Sequence, residues 1–466
     1  MAMSSSSFPT ATATASFPNW VMLERFVFRR DDDKSFPDDT KATLRASGSG
    51  SHKTPFTIAF RIADPPAISR LYVQWPQGPN PEEMVACHLV ATHRNLVLVC
   101  FCYIVECPVP ACPQDYFLFT ASGDDPVSSP LLKALPPCTY QPKGGEPLPC
   151  TYQPEGGFPP SDVEGDGNLR YPLEFRSVGI LCQGEEFAVA ELQVLRNINA
   201  NVKARLCVLR SAISSKGEDG DGGGRWDIME LPIVYGSGEE YWDIFYWTTD
   251  TVIAFQNYLC WVDYDRGMLF CDVLQKRPGI AFIRFPLDSF PNGRSRRHFS
   301  QVYRGVSVTT ECGGSGALKF ADVNRLDSKL LGSLEPGRGY TITCHTLRTL
   351  GLDVGAIEWS KDFAITSKEI WSFKGPELVP HEVLLFPTVS MEMPNVMHFL
   401  TCDYEHVIRK MSVVTIDLAS KTVLSVIPYV NGQEDLSGED SDMVRAKSSY
   451  PQSFLPSEFS KYFNSI

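Results

Sequence analysis

The sequence predicts an all-β protein, and three observations carry that expectation. Runs rich in β-branched and aromatic residues, broken by turn residues, follow one another along most of the chain. Helical periodicity is almost absent before the last dozen residues. A weak repeat of a small or branched residue, an acid and an aliphatic recurs at strand ends, as Ala190-Glu191-Leu192, Cys271-Asp272-Val273, Ala321-Asp322-Val323 and Ile416-Asp417-Leu418. Its intervals lie near one or two blade lengths of roughly 40–50 residues. Together these features predict a β-propeller-like ring of five or six antiparallel blades, followed by a short C-terminal helix.

The stretch from Trp247 to Leu287 is the clearest unit. Thr251 to Phe255, Tyr258 to Tyr264, Met268 to Val273 and Ile280 to Phe285 read as four strands, with Asp265-Arg266-Gly267 as a hairpin turn. Gly267 is expected there for its freedom to take positive φ. A strand with one wet face alternates apolar and polar residues, whereas Met268-Leu269-Phe270-Cys271 is apolar throughout. These strands are therefore expected to be covered on both faces. Trp261, in the densest run, is expected to be buried between blades as a structural residue. Cys207-Val-Leu-Arg210 before Trp226 and Cys344-His-Thr-Leu-Arg348 before Trp359 repeat in one order. In this repeat Glu191, Asp272 and Asp322 are expected to hold backbone donors at blade corners, with Trp packing between blades.

Residues 1–18 are Ser/Thr/Ala/Pro-rich and expected to be disordered. The β-rich body then spans 19–432. It opens with Trp20 to Phe28 as a strand or short helix, which the Asp31 to Asp33 run and the Ser/Gly tract Ser47 to Ser51 break. Phe56 to Ile62, Arg70 to Trp75, His88 to Thr92, Leu96 to Val105 and Tyr116 to Ala121 read as strands. At least one of the two earliest runs is expected to pair with the last blade, because closing a ring removes exposed strand edges. Residues 136–166 contain a tandem copy, Pro137 to Pro142 and Pro149 to Pro154, and read as a surface insertion. Residues 215–224 are a second Gly/Asp-rich loop. Strands resume from Phe175 to Cys182 and continue through Trp359 to Trp371 to Thr422 to Val430. Residues 433–466 are expected to form an acidic linker, Gln433 to Asp442, and an amphipathic helix over Pro456 to Phe463, in which Phe459, Tyr462 and Phe463 share one stripe.

With 43% hydrophobic residues the chain can bury a large core. A formal net charge of −13 argues against nucleic-acid and anionic-membrane partners, since both need a positive field. Fourteen cysteines without regular spacing, several inside apolar runs, and the lack of an N-x-S/T sequon fit a reducing, intracellular location, cytoplasm or nucleus. No run approaches the ~20 apolar residues of a membrane span.

Motifs for chemistry are sparse. There is no phosphate-binding loop, no HExxH, no GxSxG and no dinucleotide fingerprint. Gly313 to Ala317 lacks the final Gly of a nucleophile elbow and reads as a hairpin loop. The cysteines between Cys87 and Cys112 lack the paired spacing of zinc sites and read as thiols, so no metal or other cofactor is expected. Asp263, Asp265 and Asp272 include turn residues, where Asp is ordinarily a backbone acceptor. Arg294, Arg296 and Arg297 form the one strong basic cluster, a candidate interaction site together with Phe459, Tyr462 and Phe463.

Several stretches carry a resemblance: Trp20-Val-Met-Leu-Glu-Arg25, Ala91-Thr-His-Arg-Asn95, Tyr171-Pro-Leu-Glu-Phe-Arg176, Trp247-Thr-Thr-Asp-Thr251, Leu259-Cys-Trp-Val-Asp-Tyr264, Gly267-Met-Leu-Phe-Cys-Asp272 and Phe285-Pro-Leu-Asp288. On them the chain resembles a plant family of uncharacterised proteins, the domain of unknown function sixteen-eighteen. In outline it is similar to F-box-associated and kelch-like propellers, without an F-box. The resemblance implies no catalytic residues, no cofactor and no known partner. The sequence thus favours a non-enzymatic intracellular propeller whose loop-built face binds a protein or peptide. The alternative is a propeller enzyme acting on a carbohydrate through Asp250, Asp263, Asp272 and Asp322, should they converge in a cleft.

Overall fold

In the computed structural model the chain is mostly β, with 51% strand and 9% helix. The structure describes residues 16–463 apart from 81–83, 104, 107–109, 112, 122–130, 141–168, 197–201, 212–223, 237, 289–298, 311–315, 328, 405–407, 431–437 and 450–451. A nine-stranded and an eight-stranded sheet are nearly closed and barrel-like, and two smaller antiparallel sheets have four strands each.

Both large sheets are built of four-stranded groups meeting at thin seams. In the first, Val21–Arg29, Ile68–Gln74, Pro55–Arg61 and Leu44–Ser49 lie in that order. They join Met84–His93, Leu96–Tyr103, Gln114–Thr120 and Leu131–Ala134 through a single paired position, Phe26 opposite His88. In the second, the group of Val178–Gln183, Glu186–Leu195, Lys203–Arg210 and Trp226–Val234 is joined as a sheet to the Thr251–Arg284 group through the pairing of Ile233–Val234 with Ile280–Ala281. The two free-standing sheets are Arg304–Thr309 to Ser360–Thr366 and Leu385–Val389 to Thr422–Val430, each a meander of neighbours in sequence.

The core is divided among the faces between successive groups. In the Thr251–Arg284 group alternate residues go to opposite sides. Trp261, Leu269, Cys271 and Phe282 pack with Ala190, Leu206 and Val208, whereas Cys260, Val262, Phe270 and Ala281 pack with Val306, Leu318 and Phe320. That is why the run has no polar positions: both faces are dry. Val21, Leu23, Phe60, Val99 and Phe117 fill the space between the first two groups, and Leu98, Leu118, Ile180 and Cys207 the next. The last cluster mixes Ala321 and Ile342 with Val389, Val413 and, from the first group, Met22, Phe28 and Tyr72.

Several expectations are corrected. The Ser47 tract does not break structure: Ser47, Gly48 and Ser49 pair with Thr57, Phe56 and Pro55 as an outer strand. A Cβ on Gly48 would lie 3.0 Å from Leu132, so the small residue serves packing. Gly267 is required by close approach rather than positive φ, since a Cβ there would sit 2.1 Å from the Ile283 carbonyl oxygen. The run Trp359 to Trp371 ends as a strand at Thr366, whose hydroxyl and Glu369 form a capping box for the helix Ser367–Ile370.

At the C-terminus the expected linker contains the start of a helix, Glu439–Ser449, whose first turn carries Glu439, Asp440 and Asp442 at the positive dipole end. The expected helix over Pro456 to Phe463 is instead a strand, Leu455–Ser457, followed by a 3-10 turn, Phe459–Phe463. Ring closure also differs from expectation. Val21–Arg29 pairs in parallel with Ile68–Gln74 and antiparallel with Leu455–Ser457, not with the Leu385–Val430 sheet. The 136–166 insertion begins later than expected among the described residues: Cys138 is buried and Trp226 Nε1 donates to the Pro136 carbonyl at 2.8 Å.

Candidate functional site

Stretches far apart in sequence meet at one small, partly open cleft of about 10 Å³, room for roughly one water molecule. Arg25 comes from the Val21–Arg29 strand and His88 from Met84–His93. Phe175 and Arg176 belong to the 3-10 turn that feeds Val178–Gln183, and Asp250 and Thr251 stand at the leading end of Thr251–Phe255. Two of these come from segments entering neighbouring strands, because Gly179 lies against Val252 and Trp261 Nε1 donates 2.7 Å to the Ser177 carbonyl. Asp250 is fixed by donating its backbone N–H to the Val262 carbonyl (2.7 Å) and accepting from the Tyr264 N–H (2.9 Å).

Arg25 is 9% exposed as a whole residue. It donates to the carbonyls of Val90 (2.9 Å) and Ser453 (3.3 Å) and to the Thr251 hydroxyl (3.0 Å), all neutral acceptors. The His88 ring stacks on Phe175 with centroids 4.6 Å apart, and the Arg176 guanidinium lies 5.8 Å from the Phe175 centroid. Burial, then the neighbouring Arg176 and Arg25 charges, hold the His88 imidazole down to about 4, so it is neutral at physiological pH. Burial pushes Tyr264 up to about 12. Behind the cleft the Glu24 carboxylate accepts from Tyr429 and lies 3.2 Å from Lys447 Nζ, which also donates to the Gln452 carbonyl at 2.9 Å.

A second feature lies immediately upstream of Asp250. The helix Gly238–Phe245 gathers Tyr241, Trp242, Phe245 and, just beyond it, Tyr246. Trp242 is 55% exposed, its ring 5.2 Å from Tyr241, 5.7 Å from Phe245 and 6.1 Å from Tyr246. The helix is anchored on its inner side by buried Ile244 and by Asp243, which accepts from Arg284 Nε at 2.7 Å.

Residues singled out by sequence fall elsewhere. Arg294, Arg296 and Arg297 lie outside the described residues. Phe459 is fully buried against Phe60 (5.1 Å), while Tyr462 and Phe463 are half-buried, the latter 5.6 Å from Phe17. This aromatic stripe is occupied by the protein's own body. Trp261 is fully buried. Glu191 is buried and accepts from the Glu174 N–H (3.0 Å), Asp272 accepts from Leu274 N–H (3.3 Å), and Asp322 instead binds Arg304 Nε (2.8 Å). Of the four candidate carboxylates only Asp250 lines the cleft. Asp263 is buried, holding the Thr248 (2.8 Å) and Asp265 (2.9 Å) N–H groups, and Asp272 lies at the opposite end of the Gly267–Cys271 strand. Among the described residues no His/Cys/Asp/Glu group is arranged to hold a metal, ten cysteines are free thiols, and no helix is long and apolar enough to cross a membrane.

Arg25, Arg176 and Asp250 each end or lie in a stretch that carries the resemblance, but no spacing in the sequence joins them to one another or to His88. The aromatic helix did leave a signal: Tyr241 with Phe245 and Trp242 with Tyr246 are each four apart, a helical spacing inside a β-rich chain.

No curated protein matches the chain. The cleft residues all lie outside the segment that does have a family assignment. That segment starts at Trp261 and ends at His398, within strands rather than between groups. Residues 261–398 match the model of the family described as protein of unknown function (DUF1618), and the chain carries a DUF1618 domain over that span.

Proposed function

We propose that this chain is a non-enzymatic, intracellular β-propeller of six four-stranded blades that binds a protein or peptide partner, with Trp242 as its central anchor. The propeller reading is supported by the order of the cores: each cluster is shared by consecutive groups, and the last brings the final sheet against the first group. Tryptophans span successive groups, Trp261 to the Ser177 carbonyl and Trp359 to that of Arg284 (3.0 Å). Free thiols on the described cysteines support a reducing location.

The observation that carries the binding function is the exposed Trp242 among the half-buried rings of Tyr241, Phe245 and Tyr246. An exposed Trp ringed by half-buried aromatics is the composition of an interface centre, where Trp and Tyr supply large contact area at little entropic cost. A helix merely covering the sheet would turn Trp242 inward; here Ile244 faces the core and Trp242 faces water.

Selection of a displayed random-peptide library on the purified full chain tests this reading. Peptides enriched on the wild type should bind the Trp242→Ala protein at least ~10-fold more weakly, a loss of ~1.4 kcal/mol. The melting temperature should move by less than ~2 °C, as for surface substitutions generally. Equal binding to both proteins would reject Trp242 as the anchor.

A further inference from the structure

We propose that the surface around Trp242 takes a basic segment of a partner protein, with an arginine or lysine side chain laid on the indole face. This rests on the reading of Trp242 as the anchor and names the chemistry that the anchor recognises. Of the eight tryptophans, Trp242 alone is exposed. The Tyr246 ring lies near-parallel to it, at 23° with centroids 6.1 Å apart, and Tyr241 and Phe245 form a second such pair at 24° and 6.1 Å. Rings four residues apart on one helix thus present stacked π faces, and indole is the best side-chain acceptor for a cation. Elsewhere the chain covers exposed or half-buried rings with its own cations, Arg325 over Tyr303 at 6.0 Å and Lys461 over Tyr462 at 5.2 Å. Among the described residues no cation lies over Trp242.

Charge favours a cationic partner over a neutral one. From Trp226 to Asp265 the sequence has eight acids and no Lys, Arg or His, so only cations from other segments can offset it. The chain supplies some of them: Arg210 pairs with Asp227, Arg205 with Glu230 and Arg284 with Asp243. Arg196 donates to the Trp247 carbonyl at 3.0 Å, just past the helix. The helix Gly238–Phe245 thus already draws guanidinium groups, on its inner side and beyond its end. Its last turn carries no basic residue, and the negative end of its dipole lies there, beside Tyr246. Over longer distances a net charge of −13 attracts a basic segment and repels an acidic one.

Fluorescence anisotropy of the full chain with labelled glycine-rich nonapeptides tests the proposal, the peptides carrying arginine, citrulline or proline at the same positions. Citrulline keeps the length and planar end of arginine without its charge. The arginine peptide should bind at least ~5-fold more tightly than either of the others, and less tightly as salt is raised. Trp242→Leu keeps an apolar side chain but removes the π face, and should weaken the arginine peptide at least ~5-fold. Its melting temperature should stay within ~2 °C of the wild type. Equal binding of the arginine and citrulline peptides, or tighter binding of the proline peptide, overturns the proposal. Salt-dependent binding that is unchanged in Trp242→Leu is diffuse attraction to an acidic surface and overturns it as well. The anchor is judged separately: library peptides that need Trp242 but bind as well with citrulline in place of arginine and acetyl-lysine in place of lysine leave the anchor standing and reject the basic partner.

Discussion

The group from Thr251 to Arg284 and the group from Val21 to Gln74 each contain four strands, yet they are assembled in opposite ways. In the first, every strand pairs with its neighbour in sequence through a short turn, and Gly267 lets one strand approach the next closely. In the second, the first strand leaves its neighbours, lies parallel to Ile68–Gln74, and takes Leu455–Ser457 from the other end of the chain on its free edge. Its Glu24 contacts Lys447 across 423 positions. The difference teaches that local hairpins depend on local residues, whereas closure depends on contacts that exist only when both ends are present.

Truncation after Ser449 attacks the closure and should have the largest effect. It removes Leu455 and Phe459 from the core between the first two groups and uncovers an edge of Val21–Arg29. A fall in melting temperature of more than ~10 °C, or loss of soluble protein, is expected, since two large apolar side chains at ~2–5 kcal/mol each leave together. An unchanged melting temperature would mean that the long-range contacts add nothing to the local groups.

Trp261→Ala tests the local group in the same terms. The side chain is fully buried and its indole N–H is bonded to Ser177, so chemical denaturation should register a loss of ~3–5 kcal/mol. Below ~1 kcal/mol the packing described between the Lys203–Arg210 and Tyr258–Asp263 strands is wrong.

A double-mutant cycle at Glu24 and Lys447 sharpens the comparison further. Both are buried, so Glu24→Gln alone strands the Lys447 charge among Phe454, Phe386 and Tyr429 and should destabilise by about 3 kcal/mol. Adding Lys447→Met should recover most of that loss, because an apolar replacement of both partners removes the stranded charge. If the double mutant is no better than the single, the pair does not act as a unit.

Glu191 gives a smaller effect of opposite sign. Burial raises its carboxyl to about 7 from an ordinary 4.5, against the opposing effects of the Glu174 N–H and the Cys207 thiol. The folded state therefore holds a proton that the unfolded chain releases above pH 4.5. The associated stability is complete below that pH and is lost as pH rises toward 7. Glu191→Gln should be nearly neutral at pH 4.5 and stabilising by roughly 2–3 kcal/mol at pH 8. Equal effects at both values would place the titration elsewhere.

The legibility of the sequence follows the same division. Thr251 to Phe255 and Thr422 to Val430 were readable to the residue, because β-branched density and turn residues are local signals. Leu44–Ser49 was not, since Ser and Gly have low strand propensity and are held there only by Pro55–Arg61 and Leu132. The Glu439–Ser449 helix was hidden by its acidity: Glu439 and Asp442 look solvated, but bind Arg70 and Arg30 of the first group. The cleft was illegible for the same reason as the closure, since Arg25, Arg176 and Asp250 come together from separate groups of strands. The aromatic helix was legible in spacing but outweighed by the β character around it.

The interleaving of the chain's two ends has a consequence for its birth. At ~5–20 residues per second, roughly 20–90 s separate synthesis of Glu24 from that of Leu455. Throughout that interval the Val21–Arg29 strand lacks the antiparallel neighbour on one edge and its Glu24 lacks Lys447. The middle hairpins can settle as they emerge from the ribosome, while the opening strand waits, an apolar ribbon with an unpaired side. Pairing of the opening strand with Leu455–Ser457 therefore comes after the middle hairpins have formed their local contacts.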